Sequence, residues 1–223
     1  MSLRSTSFTY GLIAFAGSLT ACGGGGSGYD SAPEPVVTTP PAPFVIEGTV
    51  PGFLDQGTLV SLSLSGKTFT TTTDAQGRYE LTLNEDVSES GFAVVNAQGQ
   101  GSQDFIEFKS VLGAVSALKS LAGSDNILTV NEYAATHISE MTTAAAGLAM
   151  IEQSGVMADS PVAWRNATLN INAEELLIAS SAIRLAINNA DMKSGMIPDG
   201  TTTMDLATSI DALHSAVEMM NAA

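Results

Sequence analysis

The stretch Thr70–Tyr79 reads TTTTDAQGRY and lies in the middle of the segment 44–109, which reads as a series of short strands. Asp74 and Gly77 are typical of tight turns, because an Asp side chain bonds to nearby backbone amides and glycine adopts conformations that other residues avoid. Tyr79 follows the turn and carries the chain into a sheet. The stretch therefore predicts a strand whose start is set by a polar turn.

The sequence on either side of this turn alternates between apolar and polar side chains. The alternation is clearest in Val60-Ser61-Leu62-Ser63-Leu64 and in Tyr79-Glu80-Leu81-Thr82-Leu83. A period of two is typical of a strand with one buried face. Glycines recur between the apolar runs, as turns require. Roughly six or seven short strands at this spacing predict a small β-sandwich over residues 44–109.

Part of this segment resembles a known family. The residues Gly48-Thr49-Val50, then Thr72-Thr73-Asp74, Gly77 and Tyr79, are similar to the motif of the carboxypeptidase regulatory-like, or transthyretin-like, β-sandwich. The resemblance implies a non-catalytic module that is appended to something else. A plain immunoglobulin-like sandwich is the alternative fold.

The composition changes near Lys109, from a part rich in Thr, Gly and Val to a part rich in Ala, Met and Ile. Apolar residues then recur at helical spacing, most clearly at Leu206, Ile210, Leu213 and Val217. The predicted fold class is therefore α+β with several domains: a small all-β transthyretin-like sandwich at 44–109, followed by a C-terminal helical bundle in a domain at 110–223. Helices are expected over 111–121, 131–153, 174–190 and 205–220, with longer loops at 154–171 and 191–203.

Met141-Thr142-Thr143-Ala144 carries a second resemblance within the predicted helical domain. It looks like a Thr-Thr-Ala segment in the helical regions that follow transthyretin-like modules in many exported bacterial proteins. This resemblance implies export, and it implies no established activity.

The start of the sequence reads as an export signal. Arg4 precedes an uncharged, mostly apolar stretch, Phe8–Leu19, which is too short to span a bilayer as a helix of ~20 residues. It ends in Leu19-Thr20-Ala21-Cys22, which resembles the bacterial lipobox. That resemblance implies a lipoprotein signal peptide at 1–21, a diacylglyceryl group on the Cys22 thiol and cleavage before Cys22. An ordinary cleaved signal is the alternative.

Residues 22–43 read as a lipidated Cys followed by a linker. GGGGSG is typical of a flexible coil, and the proline-rich sequence after it is typical of a stiffer, extended spacer. Gly23 stands where many related lipoproteins that stay in the inner membrane carry Asp. The expected location is therefore the cell outer membrane, through a lipid anchor, and the sequence leaves open whether the body faces the periplasm or the cell surface.

The charge of the chain limits its partners. Only 8 Lys+Arg face 23 Asp+Glu, which gives a formal net charge of -15. No cationic surface is left to displace the counterions of phosphates, so nucleic acid is excluded as a partner. The expected partners are the membrane, through lipidated Cys22, and an envelope protein or a surface glycan.

The function that these features favour is a non-catalytic, membrane-anchored envelope module for binding or assembly, without a cofactor. One alternative is an envelope hydrolase whose site is assembled from distant residues, and a second is a passive structural spacer. No G-x-S-x-G nucleophile motif occurs in the sequence. His137 and His214 lie in Ala-rich helical sequence, where packing or exposure is expected rather than catalysis.

Asp125, Thr129 and Glu132 have the spacing of loop positions 5, 9 and 12 of an EF-hand. Leu121 and Gly123 then occupy positions 1 and 3, which need oxygen ligands, and Asn126 occupies position 6, which needs Gly, so half of these six requirements are not met. The sequence favours a turn and a helix start over a calcium site, and calorimetry with Ca²⁺ is the test.

Trp164 and Arg165 are the ligand-binding candidates. Trp164 is the only tryptophan of the chain, and it lies beside Arg165 in a predicted long loop. An aromatic ring next to a guanidinium is common in binding sites. The alternative is a tryptophan that closes the loop over the core.

Overall fold

The computed structural model describes residues 42–52, 54, 56–64, 66–83 and 89–222, which belong to one compact unit, Pro41–Ala223. The predicted signal peptide, Cys22 and the linker as far as residue 41 lie outside the described residues. None of the helices that the structure describes has both the length and the apolar character needed to cross a bilayer.

The described residues combine strands and helices, which confirms a mixed α and β fold. The strands are β1 (Phe44–Thr49), β2 (Leu59–Leu64), β3 (Lys67–Thr72), β4 (Arg78–Leu83), β5 (Phe92–Gln98), β6 (Glu107–Ala114) and β7 (Ile127–Leu128). The helices are α1 (Val115–Ala122), α2 (Glu140–Glu152), α3 (Pro161–Thr168), α4 (Ala173–Asn188), α5 (Ala190–Met196), α6 (Thr203–Thr208) and α7 (Ile210–Ala222).

The strands form two sheets. One sheet has the order β3-β2-β5-β6 and is antiparallel throughout. The other has the order β4-β1-β7, with β1 antiparallel to β4 and parallel to β7. The stretch Thr70–Tyr79 connects them, because β3 belongs to the first sheet and β4 to the second.

The turn between β3 and β4 has the predicted chemistry. Asp74 Oδ1 accepts hydrogen bonds from the amides of Gln76 and Arg78, each at 2.8 Å. Gly77 has a φ of 71°, in the left-handed region that favours glycine. The two residues together turn the chain from one sheet into the other.

The alternating residues point into the core as predicted. Val60, Leu62, Leu64, Leu81 and Leu83 are all buried. The same apolar core continues into the helices, where it includes a further set of buried residues, Leu118, Ala144, Leu148, Ile183 and Leu206. The strands and the helices therefore share one core.

Several element boundaries differ from the expectation. The domain boundary placed near Lys109 falls inside β6, and the helix expected from Val111 begins only at Val115, because β6 continues its pairing with β5 as far as Ala114.

The helix expected over 131–153 begins at Glu140. Ser139 caps it: its side chain accepts from the Thr142 amide, while the Thr142 hydroxyl accepts from the Ser139 amide. The loops expected at 154–171 and 191–203 contain α3 and most of α5.

Two buried threonines from the helices bond to the outer edge of β6. Thr203 Oγ1 accepts from the Glu107 amide at 3.0 Å and donates to the Glu107 carbonyl at 2.6 Å. Thr143 Oγ1 accepts from the Lys109 amide at 3.0 Å and donates to the Ser139 carbonyl at 2.7 Å. Each hydroxyl bonds to backbone groups of β6 that a neighbouring strand would otherwise pair with. These bonds fix α6 and α2 to the sheet at Glu107 and Lys109, which are alternate residues of β6.

A second connection joins the other sheet to the segment before α2. Tyr79 lies opposite Gly48 in the β1–β4 pair, and its buried hydroxyl donates to the Thr136 carbonyl at 2.7 Å. A Cβ on residue 48 would overlap both the Tyr79 ring and that carbonyl oxygen. The Ile138 amide also donates to the Thr49 carbonyl, at 2.9 Å. Glycine at position 48 is therefore what lets the Tyr79 ring reach Thr136.

The Thr203→Val substitution should lower the free energy of unfolding by about 1–3 kcal/mol, because it leaves the buried amide and carbonyl of Glu107 without a partner. Urea unfolding followed by Trp164 fluorescence measures this. Thr70→Val, at an exposed position of β3, is the control and should change stability by less than about 0.5 kcal/mol. Equal effects of the two substitutions would contradict the role assigned to Thr203.

The Tyr79→Phe substitution should change how stability depends on alkaline pH. Burial raises the pKa of Tyr79 in the folded chain, whereas the unfolded chain ionises near pH ~10. The contribution of Tyr79 to the free energy of unfolding is fully present below that pH. Above it this contribution falls by up to about 1.4 kcal/mol per pH unit, because only the unfolded chain loses the proton. Phe removes this decline.

Urea unfolding at about pH 8 and about pH 11 separates the loss of the Tyr79 hydrogen bond from the loss of its ionisable hydroxyl. The lost hydrogen bond to Thr136 should lower the free energy of unfolding of the variant by ~1 kcal/mol at both pH values. The decrease in stability between the two pH values should be smaller in the variant than in the unmodified chain, because the Phe side chain of the variant cannot ionise. Tyr133→Phe is the control, because that half-buried ring donates to the Leu112 carbonyl at 3.0 Å and should give a smaller change. An unchanged alkaline decline in Tyr79→Phe would contradict the argument.

Candidate functional site

Two depressions on the described surface differ in chemistry. The larger, about 590 Å³, lies over the sheet β4-β1-β7 and is open and polar. Its lining includes Glu47, Glu80, Arg78 and several threonines, and Asp74, which also belongs to it, is already bonded to the β3–β4 turn. This groove is a solvated sheet face rather than an enclosed site.

The smaller depression, which we call the apolar cleft, lies between α2, α4 and α7 and has a volume of about 220 Å³. Its lining is aliphatic apart from two carboxylates and one imidazole. The lining residues are Leu148, Ile151 and Glu152 of α2, Ile171 before α4, Glu175 and Ile178 of α4, and Ile210, Leu213, His214 and Val217 of α7.

The cleft forms because each helix turns one face toward it. On α7 the lining residues follow the spacing i, i+3, i+4 and i+7, from Ile210 to Val217, which is one side of a helix. Leu148 and Leu213 are buried at its base, each 8% exposed, while Ile210 is 53% exposed at its mouth. The cleft therefore has an apolar base that solvent reaches along α7.

Helix caps fix the residues at the mouth of the cleft. Asn172 Oδ1 accepts from the Glu175 amide at 2.8 Å, so Glu175 lies in the first turn of α4. Ser209 Oγ accepts from the Ala212 amide at 3.2 Å, next to Ile210 at the start of α7. These caps satisfy amides that a helix N-terminus leaves unpaired.

The electrostatics of the cleft are negative. Glu152 and Glu175 line it, and the Glu152 carboxylate accepts from Asn170 Nδ2 at 3.3 Å. Its described lining contains no Lys or Arg. Glu174 and Asp211, both exposed, stand next to lining residues and add to the negative potential.

A shallower depression of about 540 Å³ continues the cleft past the start of α7. It shares Ile151 and Ile210 with the cleft, and it adds Ser154, Gly155 and Asp211. The cleft is therefore open at this end.

Trp164 and Arg165 lie away from this cleft, on α3 rather than in a loop. Arg165 is exposed, whereas Trp164 is half-buried and packs on a small second cluster with Met150, Met157 and Met204. This position fits the expected alternative, in which the ring covers part of the core. Ligand binding at these two residues stays a prediction.

The residues considered for calcium bond to their own turn. Asp125 Oδ1 accepts from the Ile127 amide at 3.1 Å, and Glu132 Oε2 accepts from the amide and the hydroxyl of Thr129 at 2.8 and 3.1 Å. Across the part of the chain that the structure describes, no group of three or more His, Cys, Asp or Glu side chains is arranged to hold a metal ion.

The two histidines lie on different elements. His137 Nδ1 is 2.6 Å from Thr49 Oγ1, beside the bond between Ile138 and Thr49, so this contact belongs to the connection between β1 and the segment before α2. His214 lies on α7 at the rim of the apolar cleft. Cys22 lies outside the described residues, and its lipidation stays a prediction.

Sequence reasoning identified part of the cleft as a helical face but missed the site. The sequence predicts Ile210, Leu213 and Val217 to form one apolar stripe of the last helix. The periodicity of a stripe shows that a face is apolar, but it does not show whether a neighbouring helix covers that face completely. The incomplete cover of α7 became visible only in the structure.

Comparison of the chain with models of protein families, with curated proteins and with solved structures finds no significant match to any of them.

Proposed function

We propose that this chain is a non-catalytic, membrane-anchored lipoprotein of a bacterial cell envelope that acts as a binding or assembly module. In this proposal lipidated Cys22 anchors it in the outer membrane, residues 23–43 act as the spacer, and the body combines a transthyretin-like sandwich with a following helical bundle. The ligand or partner binds in the apolar cleft.

The observation that carries the proposal is the solvent-open apolar base of the cleft. Ile210 stays 53% exposed beside Ile151, Leu213 and Val217, although helix packing normally buries such a stripe. Exposed apolar surface framed by polar residues is typical of binding sites. Covering this surface with a ligand would be favourable by about 25 cal/mol per Å².

Two further features support this function. The family motif residues Gly48 and Tyr79 face each other in β1 and β4, and the chain passes from one sheet to the other at Asp74 and Gly77, which supports the sandwich interpretation. The described lining of the cleft is aliphatic apart from Glu152, Glu175 and His214, which supports binding through apolar contact there.

The Cys22→Ala substitution should release the chain from membranes. A diacylglyceryl group provides two chains, which anchor a protein stably, whereas one chain gives only marginal binding. Metabolic labelling with an alkyne fatty acid, together with membrane sedimentation, measures lipidation and anchoring in one experiment. The Ser27→Ala variant should keep label and sedimentation unchanged. A labelled Cys22→Ala protein would contradict the lipid anchor.

Binding in the cleft can be measured with N-phenyl-1-naphthylamine, an uncharged apolar probe whose fluorescence rises in apolar surroundings. The core lies within Pro41–Ala223, so the measurement uses a chain of residues 23–223, which retains this core and omits Cys22. We expect saturable binding that Ile210→Ser weakens by about tenfold, through lost apolar contact.

Leu177→Ser is the matched control, because Leu177 is an apolar residue of α4 that is 58% exposed and does not line the cleft. It should leave probe binding unchanged. Ile178→Trp should abolish probe binding by filling the cleft. Equal effects of Ile210→Ser and Leu177→Ser, or binding that Ile178→Trp leaves intact, would show that the cleft is not the binding site.

A further inference from the structure

We infer that the apolar cleft binds a cationic amphipathic helix of a partner protein. This inference rests on the proposed function, since it names the class of partner that occupies the proposed binding site. It follows from the size, the hydrogen-bonding character and the charge of the cleft.

The size of the cleft suits the side chains of a protein segment. Its volume of about 220 Å³ lies below the ~300–1,000 Å³ that is typical of small-molecule sites. The stripe from Ile210 to Val217 spans about 10 Å along α7, the distance between residues i and i+7 of a second helix. A row of two or three apolar side chains therefore matches the cleft in both volume and length.

The hydrogen-bonding character of the cleft favours a helix over an extended strand. Its base consists of aliphatic side chains from α2, α4 and α7, so the cleft offers few partners for the backbone of a bound strand. An unpaired backbone group in apolar surroundings costs free energy, and a helix avoids this cost because its backbone bonds are internal. A fourth helix packed against α2, α4 and α7 would also complete the cover of their apolar faces.

The charge of the cleft selects a cationic helix. Glu152 and Glu175 come from two different helices, and Glu174 and Asp211 extend the negative rim. A helix with Leu on one face and Lys on its flanks places its ammonium groups near these carboxylates while its apolar face enters the cleft. An acidic helix would meet repulsion there, in a chain whose formal net charge is already -15.

The test uses a designed peptide of about 14 residues, with Leu at positions i, i+3, i+4 and i+7 of each repeat and Lys elsewhere. Calorimetric titration into residues 23–223 should give saturable binding to one site, and circular dichroism should show that the peptide becomes helical when bound. The Glu152→Gln and Glu175→Gln double variant should weaken binding by about tenfold. This loss should shrink at high salt, where charge pairs are screened.

The Glu47→Gln and Glu80→Gln double variant is the matched control. It removes the same two charges from the polar sheet groove and leaves the cleft intact, so peptide binding should stay within about twofold of the unmodified chain. A peptide of the same pattern with Glu in place of Lys should not bind. Both controls separate recognition by the cleft from attraction to an acidic protein in general.

The inference is overturned if both double variants weaken the peptide equally, or if the Glu-containing peptide binds as tightly as the Lys-containing one. If the uncharged probe binds in the cleft but the Leu/Lys peptide does not, the class of partner is wrong and the proposed binding site stands. If neither binds, the proposed function fails together with the inference.

Discussion

The outer edge of β6 imposes the constraint on which the rest of this structure depends. A strand at the edge of a sheet exposes amides and carbonyls that need partners, and a further strand usually provides them. Here Thr143 and Thr203 do so instead, with hydroxyl groups that bond to the backbone of Lys109 and Glu107. Because both side chains are fully buried, the positions of α2 and α6 are fixed relative to the sheet.

The cleft is a consequence of this arrangement. α2 and α6 approach closely at Gly147, where a Cβ would overlap Ala207, and α4 packs against both helices. α7 begins directly after α6 and packs on α4 and α6. Since α2 is held by the sheet and α7 by α6, their facing sides do not close completely. The same contacts that stabilise the helices thus leave Ile210 and its neighbours open to solvent.

Features that depend on neighbouring residues could be predicted from the sequence. The Asp74–Gly77 turn, the alternation from Val60 to Leu64 and the stripe of α7 all follow from local chemistry and periodicity. Features that depend on distant residues could not. The parallel pairing of β7 with β1 joins Ile127 to Val45, and a strand of two residues has no period to detect.

The threonines show the same limit. Met141-Thr142-Thr143-Ala144 is recognised in the sequence through its resemblance to a known segment. The hydrogen-bond partner of Thr143 is the backbone of Lys109, 34 residues earlier in the chain, which the sequence does not indicate. For the candidate site, the apolar residues of α7 could be identified in the sequence. The cleft itself depends on how three helices pack, and a single sequence contains no signal for a gap between them.

The small second cluster around Trp164 has a consequence for chemical damage. Met150, Met157 and Met204 lie in this cluster with the single indole of the chain, and the first two are only partly buried. Oxidation of a thioether to a sulfoxide introduces a polar oxygen where an apolar side chain was packed. An oxidant would therefore loosen α3 from the sheet while the aliphatic core around Ile46, Leu62 and Leu81 stays chemically inert, and the tryptophan emission would report this change.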